Sequence, residues 1–95
     1  MRFHFTAPLW EWEARANWYF VSLPEEMGAD IAEVPRMTRG FGAVKVRVGV
    51  GRTTWSTSIF PLADTYVLPI MKAVRRAEGI EPDDEVTIDL EVLDL

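Results

Sequence analysis

The chain of 95 residues contains no cysteine and a single histidine. The first absence excludes a disulfide scaffold, a thiol nucleophile and cysteine-ligated zinc, and it fits a reducing compartment. The second leaves His4 as the one imidazole available for acid–base chemistry, with no positioned partner visible beside it in sequence. Long apolar runs are missing too. The uninterrupted stretches fall far short of the ~20 residues a membrane-crossing helix needs. Arg2 to Phe5 already alternate like a strand, where a secretory leader would show a basic stretch followed by an apolar run, so the expected address is the cytoplasm. Residues 77–95 lack any basic group and carry eight acidic ones; residues 36–76 carry eight basic groups against Asp64 alone; residues 1–35 carry six acidic and two basic groups, and the net charge is −5. Two arrangements fit this segregation. Basic strands can lie beside acidic ones, or the basic segment can form a face for an anionic ligand.

What is present is strand and turn signal. An apolar share of 48% and a charged share of 26% are those of an ordinary globular domain, and the length suits a single one spanning 1–95. Phe3, Phe5, Ala7 and Leu9 alternate with polar residues, predicting a strand over about 2–10. Trp18 to Leu23 is aromatic and β-branched, predicting a second over about 17–23. Pro24, Glu25 and Glu26 open a helix of about 25–34, stopped by Pro35. Pro35 to Gly42 is a loop by composition. Val44, Val46, Val48 and Val50 mark a third strand, Gly51-Arg52 a hairpin turn, and about 53–60 a fourth strand ended by Pro61. Tyr66 to Leu68 is a short fifth strand. Pro69 then opens a helix of about 70–78 with Met71, Val74 and Ala77 on one side and Gly79 as its left-handed terminator. After a Pro82-Asp83-Asp84 turn, Val86, Ile88, Leu90 and Val92 give the clearest alternation in the chain.

The order is ββαβ twice over. Leu23-Pro24 aligns with Leu68-Pro69, and Val44, Val46 and Val48 with Val86, Ile88 and Leu90. The fold class expected is mainly β with two short helices: a six-stranded barrel of two pseudo-duplicated units, its ends covered by the helices. Trp10, Trp18 and Trp55 are assigned to the barrel's filling, because large aromatics dominate the core of a small domain. Trp12, in a polar stretch, is the candidate aromatic platform.

Several stretches resemble one family. Trp10-Glu11-Trp12-Glu13, Trp18 to Pro24, Gly40-Phe41-Gly42-Ala43-Val44 and Leu68 to Ile80 are similar to the family catalogued as domain of unknown function 1905. Its members are bacterial and archaeal, stand alone or fused to a YdeI/OmpD-associated domain, and form a double-split β-barrel capped at both ends by helices. The resemblance implies that fold and supplies no activity. Asp83-Asp84-Glu85-Val86 also resembles the Gly-Asp box of cradle-loop barrels such as AbrB-type transcription factors and MazE-type antitoxins, with Asp83 in the place of the glycine.

Signatures of catalysis are absent from the chain: there is no P-loop, nucleophile elbow or HExxH, and Gly40-Phe41-Gly42 and Gly49-Val50-Gly51 lead into strands where a dinucleotide fingerprint needs a helix. No cofactor or metal is expected. The candidate site joins Thr57 and Ser58 on strand four to Lys72, Arg75 and Arg76 on the second helix, where Lys72 and Arg76 share a helical face. Cations beside hydroxyls suit a carboxylate or phosphate. Alternatively, Arg75 ties its helix to the acidic last strand through Asp89 or Glu91. The function expected is a binding or interaction module for a small anion or a protein partner segment, monomeric or homodimeric. Nucleic-acid binding of the AbrB kind is the first alternative and an enzyme the second.

Overall fold

The computed structural model describes residues 1–34 and 42–93. Six strands and two helices follow in the order β1 (Arg2–Glu11), β2 (Tyr19–Ser22), α1 (Glu25–Glu33), β3 (Val44–Val50), β4 (Thr53–Leu62), β5 (Thr65–Pro69), α2 (Lys72–Glu78) and β6 (Glu85–Val92). The strands close into an antiparallel barrel in the cycle β1-β2-β5-β4-β3-β6. Closure follows from the alternation: Phe5, Leu9, Val21, Val46, Val48, Leu68, Ile88 and Leu90 all point inward and are buried, and a closed ladder leaves no strand edge unpaired. Fully burying a Val, Leu or Ile contributes about 1.5–3 kcal/mol, which is what the interior offers against chain entropy.

Each helix adds one buried apolar residue to this core, Ile31 from α1 and Val74 from α2, with Met27 of α1 packed partly buried against it. They sit at opposite ends of the ten-residue β4. Gly28 of α1 packs on Thr65, just past the strand's last residue, while Glu78 of α2 accepts a hydrogen bond from Thr53, its first (2.6 Å). In α2 only Val74 is buried; Met71 and Ala77, expected on the same inner stripe, are exposed. A seven-residue helix across a barrel end meets the core through a single turn, so one inward position suffices. Gly79 ends α2 in the left-handed region (φ 63°), and the Ile80 N–H reaches the Arg75 carbonyl at 2.9 Å.

Exchanging β1 for β4, β2 for β5 and β3 for β6 returns the same cycle of neighbours, so the two ββαβ units are related by a pseudo-twofold axis. The equivalences differ from the alignment read in sequence. The Leu23 N–H donates to the Tyr66 carbonyl and the Ile70 N–H to the Tyr19 carbonyl, which makes Ile70, not Leu68, the counterpart of Leu23. The helix N-caps are accordingly Pro24 and Met71, while Pro69 remains the last residue of β5. In the barrel wall Phe5 pairs with Ile88 as Trp55 pairs with Val48, so Ile88 corresponds to Val48 and not to Val46. Both offsets are slips of two residues, which preserve the inward–outward alternation and are invisible to a hydrophobic pattern.

Three further boundaries shift. β4 continues through Pro61, which lies opposite Tyr66, to Leu62, opposite Thr65. Half of the positions in an antiparallel pair donate no ladder bond, so a proline can occupy one. The β4–β5 connection is therefore a tight turn at Ala63-Asp64, with Ala63 at φ 53°. β2 begins at Tyr19 because the 12–18 segment is a closed loop, its ends joined by the Trp12 N–H and the Trp18 carbonyl at 2.8 Å. The Pro35–Gly42 loop lies outside the described residues except for Gly42, whose φ is 73°.

Candidate functional site

The two helices take different loads. α1 carries no basic residue, whereas α2 presents Lys72, Arg75 and Arg76 within one and a half turns. Arg75 is committed to the fold. Its guanidinium donates to the Ile70 carbonyl at 2.5 Å and lies over the Tyr19 ring, 4.2 Å from the centroid. It thus fastens α2 to the start of β2, and the expected tie to Asp89 or Glu91 does not form. Asp89 is hydrogen-bonded to His4 (2.6 Å) and Glu91 to Arg47 (3.4 Å).

With Arg75 pinned, Lys72 and Arg76 project from α2 without an ion-pair partner among the described residues. Together with Asn17, Tyr19 and the Gly79–Pro82 turn they line an open recess of about 420 Å³. The Asn17 backbone is held at φ 69° by a bond from its N–H to the Glu11 carboxylate (2.9 Å). Its side-chain amide has no partner among the described residues, which leaves three kinds of donor around one hollow: an ammonium, a guanidinium and an amide. Glu81 contributes the one carboxylate of the lining.

The hydroxyls expected beside these cations lie elsewhere. Thr57 pairs with the buried Val46 and faces the interior, half-buried; Ser58 points the opposite way, beside Lys45 on the outer wall. Neighbouring residues of a strand alternate faces, so both could not converge on one helix. β4 also approaches α2 at Thr53, roughly 16 Å of extended chain from Ser58. The structure therefore brings Lys72, Arg75 and Arg76 together and leaves Thr57 and Ser58 out. It adds Asn17 and Tyr19, which only the fold of the 12–18 loop places there.

Among the described residues, the other basic groups of the middle segment lie apart from this recess. Lys45 and Arg47 lie on the outer wall beside β6, where Arg47 sits opposite Glu91; Arg52 is in the β3–β4 turn. The basic strand thus neighbours the acidic one, and an ion pair this exposed contributes about 0–1 kcal/mol. On the same wall His4 and Asp89 pair with both side chains largely open to solvent, next to the Thr6–Thr87 hydroxyl pair (2.9 Å). The partner of His4 comes from the β1–β6 register, which sequence spacing does not reveal.

The tryptophans divide differently from expectation. Trp55 packs against the core, and its indole N–H is buried without a partner among the described residues. Trp18 is 43% exposed, and Trp12 41%. Trp10 faces outward from β1, where its indole N–H donates to Ser22 (2.9 Å). Trp10, Trp12 and Trp18 surround Phe20 with centroid separations of 5.2, 6.0 and 6.4 Å, and Arg15 lies over the Trp18 ring at 4.3 Å. Only Trp55 of the three goes to the interior because the even-numbered side chains at the end of β1 and in β2 point out of the barrel.

Comparison with protein families matches residues 5–90 to the one described as Domain of unknown function (DUF1905). The chain belongs to this family. The match runs from Phe5 in β1 to Leu90 in β6, so the DUF1905 region takes in both helices, the α2 recess and nearly the whole barrel wall. No curated protein matches the chain. No helix among the described residues is long and apolar enough to cross a membrane.

Proposed function

We propose that this DUF1905 domain is a binding module whose α2 recess holds a small carboxylate or phosphate. The observation that supports the reading is the division of labour among three neighbouring cations: Arg75 is consumed in fastening the helix, while among the described residues Lys72, Arg76 and the Asn17 amide have no partner. Charge-assisted bonds from ammonium and guanidinium are the strong ones, and the guanidinium grips an anion with two parallel donors. Glu81 on the rim favours a ligand that also carries a hydroxyl or amine to donate to it. An anion bound only to the folded state raises stability by RT ln(1 + [L]/Kd), about 2.7 kcal/mol at a hundredfold excess over Kd.

Thermal unfolding in rising inorganic phosphate and citrate tests the proposal. At constant ionic strength, one of them should raise Tm for the natural chain, and Lys72→Gln with Arg76→Gln should remove that response while leaving the Tm without ligand nearly unchanged. A response that survives the double substitution would refute the recess.

A further inference from the structure

We infer that the outer face of β1, β2, β5 and β4 is the interface of an isologous dimer, its occupant a second copy of this chain. A half-solvated antiparallel wall alternates apolar-in with polar-out. The β6–β3 side obeys this rule with Lys45, Arg47, Asp89 and Glu91 outside. The opposite side does not. Across its outer surface Trp10 lies against Phe20 and Phe60 against Val67, with Trp12 and Leu62 continuing the two rows. Phe20 and Val67 are buried yet are not part of the barrel's core, so this wall carries a second apolar layer on its outside.

The layer is organised by the pseudo-twofold axis, which passes between β2 and β5. From the pairings above, Trp10 corresponds to Phe60, Trp12 to Leu62 and Phe20 to Val67. Trp10, Trp12 and Phe20 thus each have an apolar counterpart in the other repeat, whereas Trp18 corresponds to Thr65 and most other outward positions have diverged. A twofold dimer brings the same face of both copies together, so the apolar rows of one copy meet the apolar rows of the other. Charge points the same way. Two copies of a chain with net charge −5 repel, and this row is neutral while the charged wall is on the far side of the barrel.

Extent suits a modest dimer. Trp12, Trp18, Phe60 and Leu62 are each 40–47% exposed, which leaves roughly 300 Å² of apolar surface among them. The half-buried Trp10, Ser22 and Pro69 between them extend the face toward the ~500 Å² per partner that a specific interface needs.

Sedimentation of the full chain from about 1 µM to about 500 µM tests the inference, with Trp12→Glu and Leu62→Glu as pseudo-equivalent variants and Lys45→Glu on the charged wall as control. All three sites are exposed, and circular dichroism verifies that each variant is folded. The natural chain should dimerise within this range. Each of the first two substitutions should raise the dissociation constant at least ~10-fold, and the control should change it little. Diluting the natural dimer should move tryptophan emission to the red as Trp12 and Trp18 return to water. A monomer throughout, a dimer indifferent to both substitutions, or dissociation without an emission shift would each overturn the inference. Should one variant fail to fold, its counterpart and the emission shift decide.

Discussion

Thr53, the first residue of β4, donates its hydroxyl to the carboxylate of Glu78, the last residue of α2, at 2.6 Å. The same carboxylate accepts the Arg52 backbone N–H at 3.3 Å and presses on Gly51, where a Cβ would collide with it. One side chain thereby joins the end of a helix to the β3–β4 turn. Gly51→Ala meets both its positive φ of 56° and that collision, whereas Gly79→Ala meets only φ 63° in open space. The expected cost is about 1–2 kcal/mol for Gly79→Ala, and roughly 1 kcal/mol more for Gly51→Ala through the disturbed hydrogen bonds. Urea unfolding of the two variants checks the order.

Gly28→Ala should destabilise, against the helix-propensity trend. Replacing a mid-helix glycine by alanine ordinarily gains up to ~1 kcal/mol. Here the new Cβ would meet the Thr65 hydroxyl and its Cα at 3.0 Å, and that hydroxyl is held by the Leu23 carbonyl (2.9 Å). Overpacking of this kind costs about 1–3 kcal/mol. Equilibrium unfolding that shows a gain in stability would mean α1 does not rest on β5 as described.

Arg75 and Tyr19 should be energetically coupled, and Arg75 and Asp89 should not. In a double-mutant cycle, Arg75→Gln and Tyr19→Leu should show an interaction of about 0.5–2 kcal/mol from the stacked cation and its anchored helix. Arg75→Gln combined with Asp89→Asn should be additive. The measurement separates the fastening seen here from a salt bridge to β6.

Ile88→Ala should cost ~2–5 kcal/mol through a cavity in the barrel, since Ile88 is fully buried. Asp89→Ala, on the open wall beside His4, should cost less than about 1 kcal/mol. Equal effects in urea would reverse the assigned faces of β6.

Duplex DNA should not bind in the micromolar range at physiological salt. Neutralising several phosphates requires basic groups gathered on one face. Those among the described residues are divided among β1 (Arg2), the 12–18 loop (Arg15), the β3 wall, the hairpin turn and α2, with Glu91 and Glu78 adjoining the β3 wall and the hairpin turn. Fluorescence anisotropy at low and physiological salt checks this; tight binding at the higher salt would contradict it.

The periodicity of two carried most of the architecture. Val44 to Val50 and Val86 to Val92 alternate so regularly that their strands and inward faces follow from the residues alone, and Asp83 takes the left-handed conformation (φ 73°) that its place in the turn demands. Both helices and the ββαβ duplication were legible for the same local reasons, and so was the family. The candidate site was legible only in its helical half: Lys72, Arg75 and Arg76 share α2 by spacing, whereas Asn17 and Tyr19 reach it through a loop closure between distant residues.

Sequence alone thus determined the elements, the inward faces of the regularly alternating strands and the repeated ββαβ order, because these depend on side-chain alternation and turn chemistry within a few residues. Tertiary structure decided what alternation leaves degenerate. A slip of two keeps every face, so Leu23 found Ile70 and Val48 found Ile88 only through hydrogen-bond register. Register likewise gave His4 its Asp89. Barrel closure sent Trp18 outward and Trp55 inward, and it set a charged wall opposite an apolar one, because the cycle of strands brings together residues that the chain keeps far apart.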